Sequence, residues 1–394
     1  MKQFNNLTIL AVDTSCDDTC IAILEIRSLK LEILSNIVSS QVKLHARYGG
    51  VYPTLAKREH QKNLVPILKT ALKETNLLKK EEKRIRIGKL KEVLKKENYL
   101  FKKLTVFLNQ YQKPKIDLIT VTIGPGLEPC LWVGVNFAKA LSYFWNLPII
   151  LINHIEAHLL ANWLPPIRFD PQLPIANHQL LFPAVCLVVS GGHTQLILMK
   201  DFGKYKILGE TRDDAAGECL DKVARILGLG YPGGPVIEEE AAQLPITNYQ
   251  LPIELPRPMI NQKNFDFSFS GLKTAVLYDF KNRLLRVRQS RKYIRAMAAE
   301  VQQAIVDVLI NKTFRAAKEF NTKTIIIGGG VAANEKLRKQ FKVQSLKSKV
   351  NFLVPPKEFC TDNAAMVGIT AFFHYLKGEG RDWQKILVNA NLRI

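Results

Sequence analysis

Leu7-Thr8-Ile9-Leu10-Ala11-Val12-Asp13-Thr14-Ser15-Cys16-Asp17-Asp18-Thr19-Cys20-Ile21-Ala22-Ile23-Leu24 reads as two apolar strands around a polar turn rich in hydroxyl and carboxylate side chains. The same pattern returns at Ala184-Val185-Cys186-Leu187-Val188-Val189-Ser190-Gly191-Gly192-His193-Thr194-Gln195-Leu196-Ile197-Leu198. Two such units in one chain predict two similar α/β halves with a cleft between them, in which nucleotide phosphates could sit between the turns. The length of 394 residues and 47% hydrophobic content leave room for two cores.

Outward from the first hairpin, apolar residues at helical spacing (Leu64, Ile67, Leu68, Ala71, Leu72) predict a helix over 55–72. Residues 78–113 are dominated by lysine and arginine, with Ile85, Leu90, Val93, Leu94, Leu100, Leu104 and Leu108 roughly helically spaced among them. This is a basic, amphipathic helical excursion: either a solvated surface insertion or an RNA contact. Ile116 to Ile123 is a strand running into Gly124-Pro125-Gly126, followed by a helix over 133–144 and a further apolar run, Leu147 to Ile152. A proline-rich connection over 165–183 precedes the second hairpin.

The net charge of +21 and pI near 9.6 point to a polyanionic partner, nucleic acid first. The longest apolar stretch, Leu181 to Met199, is broken at its centre by Ser190 to Gln195, so no membrane span is expected. The first residues lack the apolar core of a secretory signal. Six scattered cysteines without a CxxC pair read as reduced packing residues of a cytoplasmic protein.

His154-Ile155-Glu156-Ala157-His158 puts two imidazoles at i and i+4 of a helix, one above the other, as two ligands of one metal ion would be. A zinc protease needs a glutamate directly after the first histidine, and Ile155 stands there. Asp362, after Pro355-Pro356, is a candidate third ligand or a helix cap. Gly328-Gly329-Gly330 ends an apolar strand and would let backbone approach a base or phosphate, although no Gly-Lys-Ser/Thr follows. Asp213 to Lys222 reads as an acidic helix start, in which Asp221 could accept hydrogen bonds from ribose hydroxyls or the acidic residues merely favour the helix N-terminus.

In order, these motifs resemble one family. They are Val12-Asp13-Thr14-Ser15-Cys16-Asp17-Asp18-Thr19, His154-x-Glu156-x-His158, Val189-Ser190-Gly191-Gly192-His193-Thr194-Gln195 and Asp213-Asp214-Ala215-Ala216-Gly217-Glu218. Tyr231-Pro232-Gly233-Gly234-Pro235, Phe267-Ser268-Phe269-Ser270-Gly271-Leu272-Lys273-Thr274, Gly328-Gly329-Gly330-Val331-x-Ala333-Asn334 and Phe359-Cys360-Thr361-Asp362-Asn363 complete the set. The chain resembles the universal tRNA threonylcarbamoyladenosine transferases, formerly labelled O-sialoglycoprotein endopeptidases. Ser40 to His45 and Tyr48-Gly49-Gly50 look like the bacterial branch.

The resemblance implies an actin/Hsp70/sugar-kinase fold of two RNase H-like α/β halves around a central nucleotide cleft. One half would comprise residues 1–153 with 365–394 and the other 154–364. It implies transfer of threonylcarbamoyl from L-threonylcarbamoyl-AMP to N6 of adenosine 37, in tRNAs reading codons that begin with A, with release of AMP. One divalent metal, iron before zinc or magnesium, would sit on His154, His158 and Asp362. Nucleotide contacts would fall on Val188, Val189, Ser190, Gly191, Gly192, Asp221, Gly234 and Asn334, and catalytic acidity on Asp17 and Asp18. The implied partners are tRNA, an inactive paralogous subunit and a small P-loop ATPase. Asp13 and Asp18 stand where the family commonly has glutamate, Glu128-Pro129-Cys130 replaces small residues, and the basic insertion has no counterpart in the typical member. The rival readings are a small-molecule kinase of the same superfold and a scaffold that has lost turnover.

Overall fold

A computed structural model describes residues 6–27, 30–82, 85–165, 181–244, 253–380 and 382–394. The chain divides into two compact units, Met1–Ile175 with Asp362–Ile394, and Ala176–Thr361. These divisions differ from the 153/154 and 364/365 expected from sequence. The helix His154–Leu160 follows the last strand of the first unit without a break, and Asn153 caps it through Oδ1 to the N–H groups of Ile155 and Glu156.

In the first unit, β1 (Leu7–Asp13), β2 (Asp18–Arg27), β3 (Lys30–Ser40), β4 (Leu118–Gly124) and β5 (Ile149–Asn153) form one sheet in the order β3-β2-β1-β4-β5. β1 pairs antiparallel with β2 and parallel with β4; β2–β3 is antiparallel and β4–β5 parallel. The second unit repeats this plan with β6 (Ala184–Val189), β7 (Thr194–Asp201), β8 (Lys204–Glu210), β9 (Thr324–Gly328) and β10 (Asn351–Leu353), ordered β8-β7-β6-β9-β10 with the same directions at every step. The duplication read from the two hairpins is therefore a duplication of whole sheets. β3 and β8 escaped the sequence reading because both are edge strands with mixed exposure and no clean alternation.

β1 is buried along its whole length because helices cover both faces of its sheet. Leu10, Val12, Ile21 and Ile23 pack with the helices Pro53–Glu74 and Glu128–Trp145. The helix Ala364–Leu376 covers the other face, where a Cβ on Gly368 would stand 2.4 Å from Leu24. The basic excursion is two helices, Gly88–Val93 and Asn98–Gln110. Leu90, Leu94, Leu100, Leu104 and Leu108 are buried in the core of the first unit, so the segment is a packed part of the unit and its lysines form the outer face. All six cysteines are free, and no helix among the described residues is long and apolar enough to cross a membrane.

Candidate metal centre and glycine-rich turns

The turn between β1 and β2 is fixed from several sides. Asp13 Oδ1 accepts the Ser15 N–H at 3.0 Å, and Thr14 Oγ1 donates to the Cys130 carbonyl at 2.9 Å. Leu127 N–H donates to the Ser15 carbonyl at 2.7 Å. Gly126 and Gly134 lie so close that added Cβ atoms would meet Ser15 O at 2.4 Å and Thr14 Oγ1 at 2.3 Å. Behind the turn, fully buried His60 bonds Thr19 Oγ1 at 2.8 Å and the Cys16 carbonyl at 3.0 Å.

The His60 imidazole is kept neutral by burial, which pushes its pKa down to about 4. An unfolded imidazole titrates near 6.5, so between these values the unfolded chain binds more protons and stability rises with pH. The His60 contribution is full above about pH 6.5 and is lost as pH falls through 4, by up to about 3 kcal/mol. Denaturant unfolding at pH 7 and pH 5 should show about 2 kcal/mol of this loss, and His60→Gln should lose less over the same interval.

Facing the turn, His154 and His158 meet edge to face one helical turn apart with ring centroids at 4.6 Å. Their Nε2 atoms approach Asp362 Oδ1 at 3.4 and 3.2 Å, and the three ligand atoms lie within 4.8 Å of one another. Asp362 does not cap the following helix. That task falls to Asn363, whose Oδ1 accepts the Met366 N–H at 3.0 Å, which leaves Asp362 free to face the histidines. Asp13, which the sequence did not connect to the histidines, places Oδ2 3.3 Å from His154 Nδ1. Glu156 turns away from this group, and its Oε2 meets His374 Nε2 at 2.9 Å.

The electrostatics of this pocket ask for one positive charge. Burial opposes a charged His154, yet the Asp362 and Asp13 carboxylates outweigh it and raise its pKa to about 10. Burial and then the neighbouring His154 push His158 down. Burial alone would raise Asp362, but the two imidazoles hold it well below the ordinary carboxylate range. His154 Nδ1, His158 Nδ1 and Asp13 Oδ2 are buried without a hydrogen bond of good geometry. Two imidazoles and a carboxylate with a second carboxylate behind one imidazole is a donor set that fits a divalent first-row metal. Next to this group, burial and the Asp362 charge raise Asp18 to about 7, and burial raises Asp17.

The other sequence-predicted residues belong to the second unit. Val188 and Val189 end β6, and Ser190 closes the turn by donating its N–H to the His193 carbonyl at 2.8 Å and accepting the His193 N–H at Oγ, 3.1 Å. Gly191 and Gly192 are exposed with open space where a side chain would be. Gly329 has φ +90°, and a Cβ there would stand 2.4 Å from the Val189 carbonyl oxygen, so the triple-glycine end of β9 lies directly beside the end of β6. Asp221 Oδ1 accepts the Gly233 N–H at 2.6 Å and ties down the start of the helix Gly233–Ala242, which carries Gly234 with open space where a side chain would be. Asn334 caps the helix Glu335–Ser348 through Leu337 N–H at 2.9 Å and donates to Gln302 Oε1 at 2.7 Å. Asp213, expected at a helix start, instead accepts four hydrogen bonds from Ser268, Phe269 and Ser270, while Asp214 pairs with Lys222 at 2.6 Å and Lys273 at 3.3 Å. Two motifs far apart in sequence thus interlock.

Known proteins match this chain along almost its whole length. The family model described as "TsaD: tRNA N6-adenosine threonylcarbamoyltransferase" matches residues 32–89 and 108–369. The tRNA N6-adenosine threonylcarbamoyltransferase of Thermosipho africanus is 40% identical over 95% of this chain and 97% of its own length. That of Syntrophomonas wolfei is 42% identical over 93% and 92%. Among solved structures, HypF of T. kodakarensis superposes with a TM-score of 0.52 at 13% identity, over 95% of this chain and 48% of that one, which is a likeness of fold alone. With two-fifths of its residues shared along nearly its full length, the chain belongs to the TsaD family, the tRNA N6-adenosine threonylcarbamoyltransferases.

Proposed function

We propose that the chain forms threonylcarbamoyladenosine at adenosine 37 of tRNAs that read codons beginning with A, taking the threonylcarbamoyl group from L-threonylcarbamoyl-AMP. Membership of the transferase family carries this reading, and the convergence of His154, His158 and Asp362 on one buried point supports it. The acceptor N6 bonds to the carbamoyl carbon, the bond from that carbon to the phosphate oxygen breaks, and AMP leaves with the electron pair. Because the donor already carries a good leaving group, the chain needs no nucleophilic side chain; its work is positioning and charge control.

The proton released by the amine needs an acceptor, and Asp17 and Asp18 stand on the turn beside the metal ligands. Asp18, with its carboxyl raised to about 7, is poised to accept a proton near neutral pH, which favours it as the base and Asp17 as the residue that fixes the acceptor. The open turn Ser190-Gly191-Gly192, with Val188 and Val189 before it, offers backbone to the adenylate phosphate. Asp221 and Asn334 fix two helix starts that would border the nucleotide, and Gly234 leaves space for it. His154, His158 and Asp362 would hold one divalent ion, iron first with zinc or magnesium as alternatives, and Asp13 would orient His154. When bound, that ion supplies a Lewis acid for negative charge growing on oxygen. A paralogous inactive subunit and a small P-loop ATPase are the partners proposed for it, and the cytoplasm its place.

Incubating the chain with L-threonylcarbamoyl-AMP and an unmodified tRNA, then digesting the RNA for nucleoside mass spectrometry, tests this directly. Threonylcarbamoyladenosine is expected, and Asp18→Asn should cut its rate by about 100-fold or more. No product with the partner proteins supplied would refute the transferase reading, and phosphate transfer to a sugar would replace it with the kinase reading.

A further inference from the structure

A second charged feature of the first unit has no part in the transfer chemistry. The first helix of the basic excursion with the connection 95–97 that follows it, the helix Glu128–Trp145 and the segment around Trp383 enclose a groove of about 470 Å³. Lys89, Lys95, Lys96 and Lys139 line it together with Trp132 and Trp383. Its two carboxylates are already engaged. Glu92 pairs with Lys89 at 2.8 Å, and Glu97, 1% exposed, accepts from Asn136 at 3.2 Å. Burial raises the Glu97 carboxyl above its ordinary range, which further weakens it as a countercharge.

Among the described residues Lys95, Lys96 and Lys139 form no close ion pair, although the charges of Lys57 and Lys96 reach Glu97. Lys139 is half-buried, and its ammonium is disfavoured by burial and by the like charge of Lys89. A groove that gathers positive charge faster than it neutralises it is built for an anion. The indoles narrow the choice. Trp383 packs edge-on against Tyr143 at 5.3 Å with Lys89 over its ring at 5.7 Å, so cationic and aromatic groups lie side by side in the groove. That juxtaposition suits a chain of phosphates carrying bases. Residues 79–113 hold twelve lysines and arginines against four acidic residues, and 90–107 fall outside the stretches that the family model matches.

We infer that this groove is an RNA-binding site that takes the phosphate backbone of the substrate tRNA on Lys89, Lys95, Lys96 and Lys139, with Trp132 and Trp383 as stacking surfaces. It rests on the transferase reading only in naming tRNA as the RNA. Binding of a fluorescent, unmodified tRNA transcript to the full chain is to be measured across about 50 to 200 mM salt. The unsubstituted chain is compared with a variant carrying Lys89→Gln, Lys95→Gln, Lys96→Gln and Lys139→Gln, and with one carrying arginine at the same four positions. The glutamine variant is expected to bind about 10- to 100-fold more weakly, with the slope of log K against log salt smaller by about 3. The arginine variant should bind as the unsubstituted chain does, and unchanged thermal melting of both variants confirms that the fold is kept. Trp383→Ala should weaken binding with no change in salt slope.

Equal affinity and equal slope in the glutamine variant would overturn the inference, as would an equal loss in the arginine variant. A chain that binds the transcript as described yet makes no threonylcarbamoyladenosine with the partner proteins supplied would refute the transferase reading and leave the groove standing.

Discussion

His158→Ala is expected to lose more than about 100-fold in transfer rate and to leave purification with well under one equivalent of metal. The size of the effect follows from how few donors converge. Three side chains bring ligand atoms within 4.8 Å of one another, and removal of one leaves a single imidazole and one carboxylate. His158 is 2% exposed, and among the described residues no side chain beyond these three belongs to the group of converging ligand atoms. The carboxylates Asp362 and Asp13 then satisfy themselves with a proton on His154, which they already favour strongly. Asp13→Asn leaves all three donors in place and only removes the charge behind His154. It is expected to cost about 10- to 100-fold in metal affinity, a smaller effect in the same direction. Glu156→Gln is the control on the same helix. It breaks the pair with His374 and should lower thermal stability while metal content and transfer stay near those of the unsubstituted chain. Elemental analysis and nucleoside mass spectrometry on the three variants separate these outcomes. A His158→Ala chain that keeps both metal and rate would remove the metal from the reading altogether.

The half of this centre that lies on one helix was legible in sequence because i and i+4 spacing is a local rule. Asp362 was legible only as one of two options, since a carboxylate just before a helix is as good a cap as a ligand. The structure removes the cap option through the next residue. Asn363 takes the cap, and a single position decides which way Asp362 faces. Asp13 could not be assigned because its partner is 141 positions away and no periodicity connects a strand end to a distant helix. The same limit hid Asp213, whose four hydrogen bonds reach to Ser268, Phe269 and Ser270. The fold was legible from its most buried strands, β1 and β6, whose continuous apolar runs need cover on both faces. The edges β3 and β8 were not, because half-exposed strands lose the contrast that marks them. The basic excursion was read correctly as helical and amphipathic, but whether its apolar face met solvent or a core is a tertiary fact.

Gly126→Ala should damage the turn that carries Asp13, Asp17 and Asp18 without touching any of them. The added Cβ would stand 2.4 Å from the Ser15 carbonyl oxygen and 3.1 Å from its carbon, so the conflict is with backbone, which cannot rotate away as a side chain can. Two hydrogen bonds hold the pieces together at this point. Leu127 N–H donates to the same Ser15 carbonyl at 2.7 Å, and Gly126 N–H donates to the Ala390 carbonyl at 3.1 Å. Relief therefore requires the Ser15 peptide to move, the start of the helix Glu128–Trp145 to move, or the C-terminal segment to detach. Overpacking of this kind costs about 1–3 kcal/mol, seen as a lower midpoint in denaturant unfolding. The catalytic cost is larger, because a displacement of about 1 Å at a positioned group can lose about 100-fold in rate. Metal content discriminates the routes. If Ser15 moves, Asp13 moves with it through the bond to the Ser15 N–H, and both metal and transfer fall. If the helix start or the C-terminal segment yields instead, the metal stays, stability falls, and transfer changes little. The buried Thr14–Cys130 bond and the contact of Gly134 with Thr14 tie the helix start to the same turn, so the first route is the expected one.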